Sequence, residues 1–357
     1  MNKIIYIIGL TIFLSCGSDN EYSSLGDDEG VGNLQAENAL LDFSLPSNFP
    51  DPTYDIIQNP PTEKGFELGK KLFYDGKLAS DGVVSCGFCH IQDFAFTHHT
   101  HITSHGVDGL IGKRNAQPLH NLAFMNEFTW DGASTFLDTQ PIIPITAEVE
   151  MNETISNVLS KLQNDSKYPA LFAEAYGSEG VTAERMFKSL SQFMIMMVSA
   201  NSKYDKWERG EAITFSEEEE NGRVLFQAKC ASCHSGTLQT DQSYRNNGLP
   251  IDPQYNDMGR SEVTGLSEDI RKFKVPSLRN IEITFPYMHD GRLKTLEDVL
   301  DFYTEGIVQS ETLDSVFIKS DGSLGLEITS EEKTEIIAFL KTLTDTDFLN
   351  DQRFSEF

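Results

Sequence analysis

The sequence of 357 residues predicts an all-α protein built from two tandem copies of one small domain. Three observations carry that prediction. The pentad Cys-x-x-Cys-His occurs twice, as Cys86-Gly87-Phe88-Cys89-His90 and Cys230-Ala231-Ser232-Cys233-His234, a domain length apart. The landmarks around the pentads recur in the same order. Gly69-Lys70-Lys71-Leu72-Phe73, Arg114-Asn115 and Trp130-Asp131-Gly132 flank the first, and Gly222-Arg223-Val224-Leu225-Phe226, Arg279-Asn280 and His289-Asp290-Gly291 flank the second. Apolar residues return at helical spacing in several stretches, while no sustained period-two segment stands out.

The chain opens on Lys3 and an apolar run from Ile4 to Leu14, too short to span a bilayer as a mature helix. Residues 1–15 read as a secretory signal peptide. Phe13-Leu14-Ser15-Cys16-Gly17 resembles a bacterial lipoprotein cleavage box, with Phe13 where Leu is usual, and would make Cys16 a lipidated first residue. An ordinary signal peptide cut nearby is the alternative. Residues 16–42, rich in Ser, Gly, Asp and Glu up to Asn33, form a flexible tether.

An N-terminal domain over 43–205 and a C-terminal domain over 206–357 follow, with the junction near Ser202 to Gly210. Met186, Phe187, Leu190, Met194 and Met197 give one helix an apolar face, better read as core than as ligands. Ser216 with Glu219 makes a capping box that starts a helix running toward the second pentad. The last helix follows Ser330 and turns Ile336, Phe339, Leu340 and Leu343 inward. Residues 98–115 and 235–265 read as long loops rich in Gly, Asn and Asp.

Each pentad is the signature of covalent c-type haem attachment. Two thiols spaced by two residues reach both vinyl groups of one porphyrin, and the adjoining His lies beneath the iron. A zinc or redox Cys pair with an incidental His is the alternative, disfavoured because the His follows immediately in both copies. The fold class is therefore two cytochrome c-like haem domains in tandem, with two covalently bound haem c. The pentads use four of the 5 cysteines and leave no pair for a structural disulfide. Covalent haem and the leader both place the protein outside the cytoplasm, in the periplasm or cell envelope. Membrane contact is expected only through a lipid on Cys16. The net charge of −27 argues against nucleic-acid binding. The same charge would steer a basic electron donor, or serve only solubility.

From about Asn59 to Asp345 the chain resembles the bacterial di-haem cytochrome c peroxidases, a family that includes the MauG-type enzymes. The resemblance is carried by both pentads, Gly69-x-x-Leu72-Phe73, Arg114-Asn115, Trp130-Asp131-Gly132, Val149-Glu150-Met151, Ser199-Ala200-Asn201 and Pro286-Tyr287-Met288-His289-Asp290-Gly291. It implies a peroxide site at the N-terminal haem on His90, an electron-accepting haem on His234, and a calcium ion between the domains. Gln140 and Glu150 fall where the family places its distal polar pair. A carboxylate there can take a proton from peroxide and return it, while a neutral amide orients the oxygens. His105 matches the residue that caps the peroxidatic iron at rest, although His98, His99 and His101 share the loop. Trp130 holds the inter-haem position, where an indole can also simply pack. The Asn115 side chain and the main-chain carbonyls of Thr284 and Pro286 match the calcium ligands, and hard oxygen donors suit that ion.

One position departs from ordinary family peroxidases. Tyr303 stands where they carry an axial Met, and MauG-type members have Tyr there. A phenolate on the second iron would lower its potential. Met258 and Met288 are the fallback ligands. The resemblance implies reduction of hydrogen peroxide with electrons from a small carrier such as a cytochrome c, and it allows a homodimer. A MauG-like oxidation of a protein or organic substrate is the second reading. A non-enzymatic di-haem carrier is the third, opposed by Gln140 and Glu150, which a pure carrier would not need.

Overall fold

The computed structural model describes residues 38–99 and 101–356. The leader, Cys16 and all but the end of the 16–42 tether lie outside the described residues. Among the described residues the regular secondary structure is helical apart from one antiparallel ladder, β1 (Tyr244–Arg245) on β2 (Phe273–Lys274), and isolated bridges, with long irregular connections between the helices. No helix among these residues is long and apolar enough to cross a membrane.

The first half carries α1 (Glu63–Phe73), α2 (Cys86–Cys89), α3 (Ile142–Thr146), α4 (Ile155–Gln163), α5 (Tyr168–Tyr176) and α6 (Ala183–Ile195). After α7 (Lys203–Glu208) come α8 (Glu217–Lys229), α9 (Ser261–Thr264), α10 (Leu296–Asp301), α11 (Ser330–Lys341) and α12 (Thr346–Leu349). Caps set the main boundaries. The Thr62 and Thr182 hydroxyls accept from the backbone of Gly65 and Arg185 at the starts of α1 and α6. Ser216 with Glu219 and Thr329 with Glu332 form full capping boxes on α8 and α11. The predicted box on α8 is therefore present, and the helix it starts ends at Cys230.

Each half is organised by one helix crossing, α1 on α6 and α8 on α11. Both crossings are closed by glycine. A Cβ on Gly69 would lie 1.9 Å from the Ser189 carbonyl oxygen, and one on Gly222 would lie 1.9 Å from that of Glu335. The Gly-x-x-Leu-Phe motif thus recurs because each copy packs backbone against backbone. Its Leu72, Phe73 and Phe226 are buried beneath.

The apolar side chains fall into three clusters. The largest belongs to the first half and includes the stripe Met186, Phe187, Leu190, Met194 and Met197, all buried as expected. The second gathers Phe226, Ile336, Phe339, Leu340 and Leu343. The third holds Leu249, Phe302, Ile307, Leu313 and Phe317.

The span 206–357 does not pack as one unit. After Asp345 the chain returns to the first half, where Phe348 and Phe354 join the first cluster. The Tyr74 hydroxyl donates to the Phe354 carbonyl (2.6 Å), and Gln92 Nε2 donates to that of Asp351 (2.8 Å). Two buried aromatics draw the tail across a boundary that sequence order alone places at 205/206. The 235–265 loop also differs from expectation, since it contains both β1 and α9.

Candidate functional site

The two pentads close helical turns, and the histidine of each is aimed by a carbonyl a few residues on. His90 Nδ1 lies 2.7 Å from the Phe96 oxygen, and His234 Nδ1 lies 3.3 Å from the Gln239 oxygen. A carbonyl can only accept, so Nδ1 carries the proton and Nε2 keeps its lone pair for a metal. Phe96 and Gln239 adopt positive φ (61° and 54°), which turns their carbonyls inward. Burial holds both histidines below the usual imidazole range.

Burial also pushes the thiols of Cys86 and Cys230 up to about 12 and that of Cys89 up to about 11, and it raises Cys233. Neither pentad gathers three metal-ligating side chains among the described residues. The residues therefore fit covalent haem better than zinc.

Around the second pentad a cavity of about 200 Å³ is lined by Cys230, Cys233, His234, Met288 and Tyr303 among others. It is far larger than the space a single water needs. Tyr303 lies in a single turn of π-helix, Phe302–Gly306, that continues α10. Its ring stacks on Phe317 (5.5 Å), and burial pushes its phenol up to about 12. Asn247 Nδ2 lies 3.4 Å from both the Tyr303 hydroxyl and the Met288 sulfur. Tyr303 and Met288 therefore share one wall, while Met258 is not among the lining residues.

Near the first pentad, α3 separates Gln140 from Glu150. Gln140 is half-buried and ends a short turn, Leu137–Thr139. Glu150 follows α3 and accepts from the Ser104 hydroxyl (3.1 Å). Burial raises its carboxyl above the usual range, and the Ser104 bond only partly offsets this. Its charge helps raise the thiols of both Cys86 and Cys89, so the carboxylate lies close to the attachment site. The loop carrying Ser104 sits directly on the Glu150 backbone. Val107 N donates to Glu150 O (2.8 Å), and a Cβ on Gly106 would lie 2.3 Å from the carbonyls of Val149 and Glu150. His105 is on that loop, with its carbonyl 3.6 Å from Cys89 Sγ. Its ring meets His101 and His98.

Trp130 joins the halves. Its Nε1 donates to the Asn115 carbonyl (2.9 Å), its own carbonyl accepts from Lys274 N, and it lines the second cavity beside Thr97 and Pro118. Thr97 directly follows the residue that orients His90. Asn115, Thr284 and Pro286 line the same cavity. The Asn115 amide nitrogen is engaged by the Ile102 carbonyl (3.0 Å), which makes its oxygen the atom offered to a cation.

Two groups had no signal in the sequence. Asn247, between Tyr303 and Met288, belongs to no motif. The buried pair Arg279–Asp205 joins a repeated Arg-Asn landmark to a residue 74 positions away.

The fold and these paired sites define a helical class with two c-type haem-attachment motifs, and comparison with known proteins gives the family. The di-haem cytochrome c peroxidase family profile matches residues 63–213. The chain is 31% identical to the methylamine utilization protein MauG of Methylophilus methylotrophus, over 84% of this chain and 87% of that protein. It is 34% identical to the cytochrome c551 peroxidase of Nitrosomonas europaea, over 78% and 79%. A crystal structure of a MauG-like protein associated with microbial copper homeostasis superposes with a TM-score of 0.78 at 32% identity, covering 88% of this chain and 99% of that one. This chain belongs to the di-haem cytochrome c peroxidase family, MauG-like members included. Membership implies haem c as its cofactor.

Proposed function

We propose that this protein is a peroxidase that reduces hydrogen peroxide to water with electrons from a small donor protein such as a cytochrome c. The single observation that carries the reading is Glu150, a half-buried carboxylate beside the first pentad, bonded by Ser104 and with its proton affinity raised. Cys86, Cys89 and His90 would hold one haem c, and Cys230, Cys233 and His234 the other. When bound, haem supplies the redox-active iron. Glu150 accepts a proton from peroxide and returns it to the departing oxygen, and burial, by raising its carboxyl above the usual range, strengthens it as a base. Ser104 steadies that carboxylate, and Gln140 orients the oxygens through its amide. His105 gates the first site, and Trp130 bridges the halves. Tyr303 would hold the second haem together with His234, with Met288 the fallback. Asn115, Thr284 and Pro286 hold calcium between the halves. The protein is exported to the cell envelope and anchored through lipid on Cys16.

The test is steady-state turnover of peroxide by the calcium-loaded, pre-reduced protein with a reduced cytochrome c. Peroxide-dependent oxidation of the donor is expected, and its absence overturns the reading. Tyr303 favours a second reading, in which peroxide equivalents oxidise a protein or organic substrate, as the name MauG on a 31% identical relative would fit. A five-coordinate high-spin haem in the resting oxidised protein would support that branch.

A further inference from the structure

We propose that His98, His101 and His105 bind one divalent transition-metal ion of the zinc or copper class, at a site beside the first pentad that uses none of the pentad's own side chains. Each residue offers one ring nitrogen, and the three nitrogens lie within 4.8 Å of one another. The His101 and His105 Nδ1 atoms are 3.0 Å apart. Two nitrogens bound tetrahedrally to one zinc at about 2.0–2.1 Å lie roughly 3.3 Å apart, so only a small adjustment is needed. His98 is 4% exposed, and its Nδ1 is buried without a hydrogen-bond partner among the described residues. A buried polar atom left unpaired points to a missing ligand.

The frame around the three rings is built before any ion arrives. Ser104 N donates to Arg114 O (3.0 Å), Gly112 N to Ser104 O (2.9 Å) and Gly106 N to Leu110 O (2.8 Å), which fixes the hairpin bearing His105. The ladder contact of Ile91 with Thr97 fixes the entry to His98. His99, between them in sequence, stacks on Phe94 (3.6 Å, 12°) and turns its edge to Phe285, so it stands outside the cluster. Burial and the neighbouring rings lower His98, to about 4, and His101. An all-imidazole set suits Zn²⁺, Cu²⁺ or Ni²⁺ and discriminates against calcium and magnesium. Three nitrogens also leave a fourth position for water or an exogenous ligand.

Occupied, the site would hold the His105 ring in the cluster. That corollary rests on the gate assigned to His105 above, but metal binding itself does not.

The test uses the haem-loaded full chain, treated with chelator and resupplied with calcium, with Zn²⁺ as probe. Isothermal titration, and metal analysis after desalting, should find one zinc per chain beyond iron. His98→Ala and His101→Ala should each weaken it on the order of 100-fold, and His99→Ala should leave it unchanged. His98→Asn serves as a second variant should the alanine disturb folding, with haem content and circular dichroism as checks. Failure of the wild type to retain zinc overturns the proposal. So does retention that survives His98→Asn and His101→Ala, which would mark adventitious binding. An electron paramagnetic resonance spectrum in which either change removes a low-spin haem signal would reassign that ring to iron and also overturn it. None of these readouts depends on peroxide turnover, so failure of the peroxidase reading leaves the result interpretable.

Discussion

Replacing Asp205 by Asn should cost about 3–5 kcal/mol of stability, because it strands a guanidinium where water cannot reach. Arg279 and Asp205 are both 0% exposed. The guanidinium grips the carboxylate with two bonds, Nη1 to Oδ2 (2.8 Å) and Nη2 to Oδ1 (2.6 Å). Its remaining N–H groups reach Ser199 O (3.1 Å) and Thr237 O (2.6 and 2.9 Å), and Phe49 covers its face at 4.6 Å. Those carbonyls satisfy hydrogen bonds but carry no compensating charge. Asparagine keeps the shape of the aspartate but turns one acceptor oxygen into a donor that faces other donors, so the loss combines the missing charge with a mismatched hydrogen bond. Alanine would also remove the cap on Ser202, adding about 1 kcal/mol. Burial alone would raise the Asp205 carboxyl, but bonding and charge from Arg279 hold it below the ordinary range. A lowered folded pKa means the contribution is complete above the unfolded carboxylate value of about 3.9 and fades as pH falls through the folded one. The gap between wild type and Asp205→Asn should therefore close in acid. The assay is urea unfolding of the haem-loaded protein at pH 7 and at acid pH, read by circular dichroism and Soret absorbance together. A loss under about 1 kcal/mol at pH 7, or a gap that widens in acid, would refute the reasoning.

Glu150→Gln should lower peroxide turnover by about 10²–10⁴-fold with both haem spectra intact, the range for losing a positioned proton carrier. Because burial raises the Glu150 carboxyl, wild-type activity should fall with acid at a pH above the ordinary carboxylate range. That limb should be missing from the pH–rate profile of the variant. Tyr303→Phe should change the paramagnetic resonance signature of the oxidised second haem. An unchanged spectrum with a methionine–iron band in the far red would assign Met288 instead. Gly69→Ala and Gly222→Ala should each cost about 1–3 kcal/mol by overpacking a helix crossing, and equal stability by urea unfolding would show that the crossings can part.

Local signals were legible in the sequence because they act through near neighbours. The Ser216–Glu219 box needs only one helical turn, and the Met186 to Met197 stripe only one helix face. Both pentads are equally local. The features that escaped are made by partners far apart along the chain. Phe348 and Phe354 look like ordinary tail residues until Phe96 and Phe193 are folded beside them. Four histidines between 98 and 105 could not be ranked from order alone. The stacking of His99 on Phe94 and the burial of His98 separate them, and neither follows from spacing.

The same reasoning bears on the segment from His98 to Asn115, which sequence alone reads as a loop. Its Ser104 hydroxyl holds Glu150, its His105 carbonyl meets Cys89, and Arg114 binds Asp257 with two bonds (2.6 and 2.8 Å) from the other half. Asn115 N donates to His289 O (2.7 Å), and Asn115 O accepts from Trp130. Moving the His105 ring by a backbone shift would therefore strain contacts to both halves at once. A ring rotation would leave those bonds intact. Any gating by this loop is thus cheaper as a side-chain event than as a loop opening, and the amides of Ser104, Gly106 and Gly112 should stay protected from hydrogen exchange in both redox states.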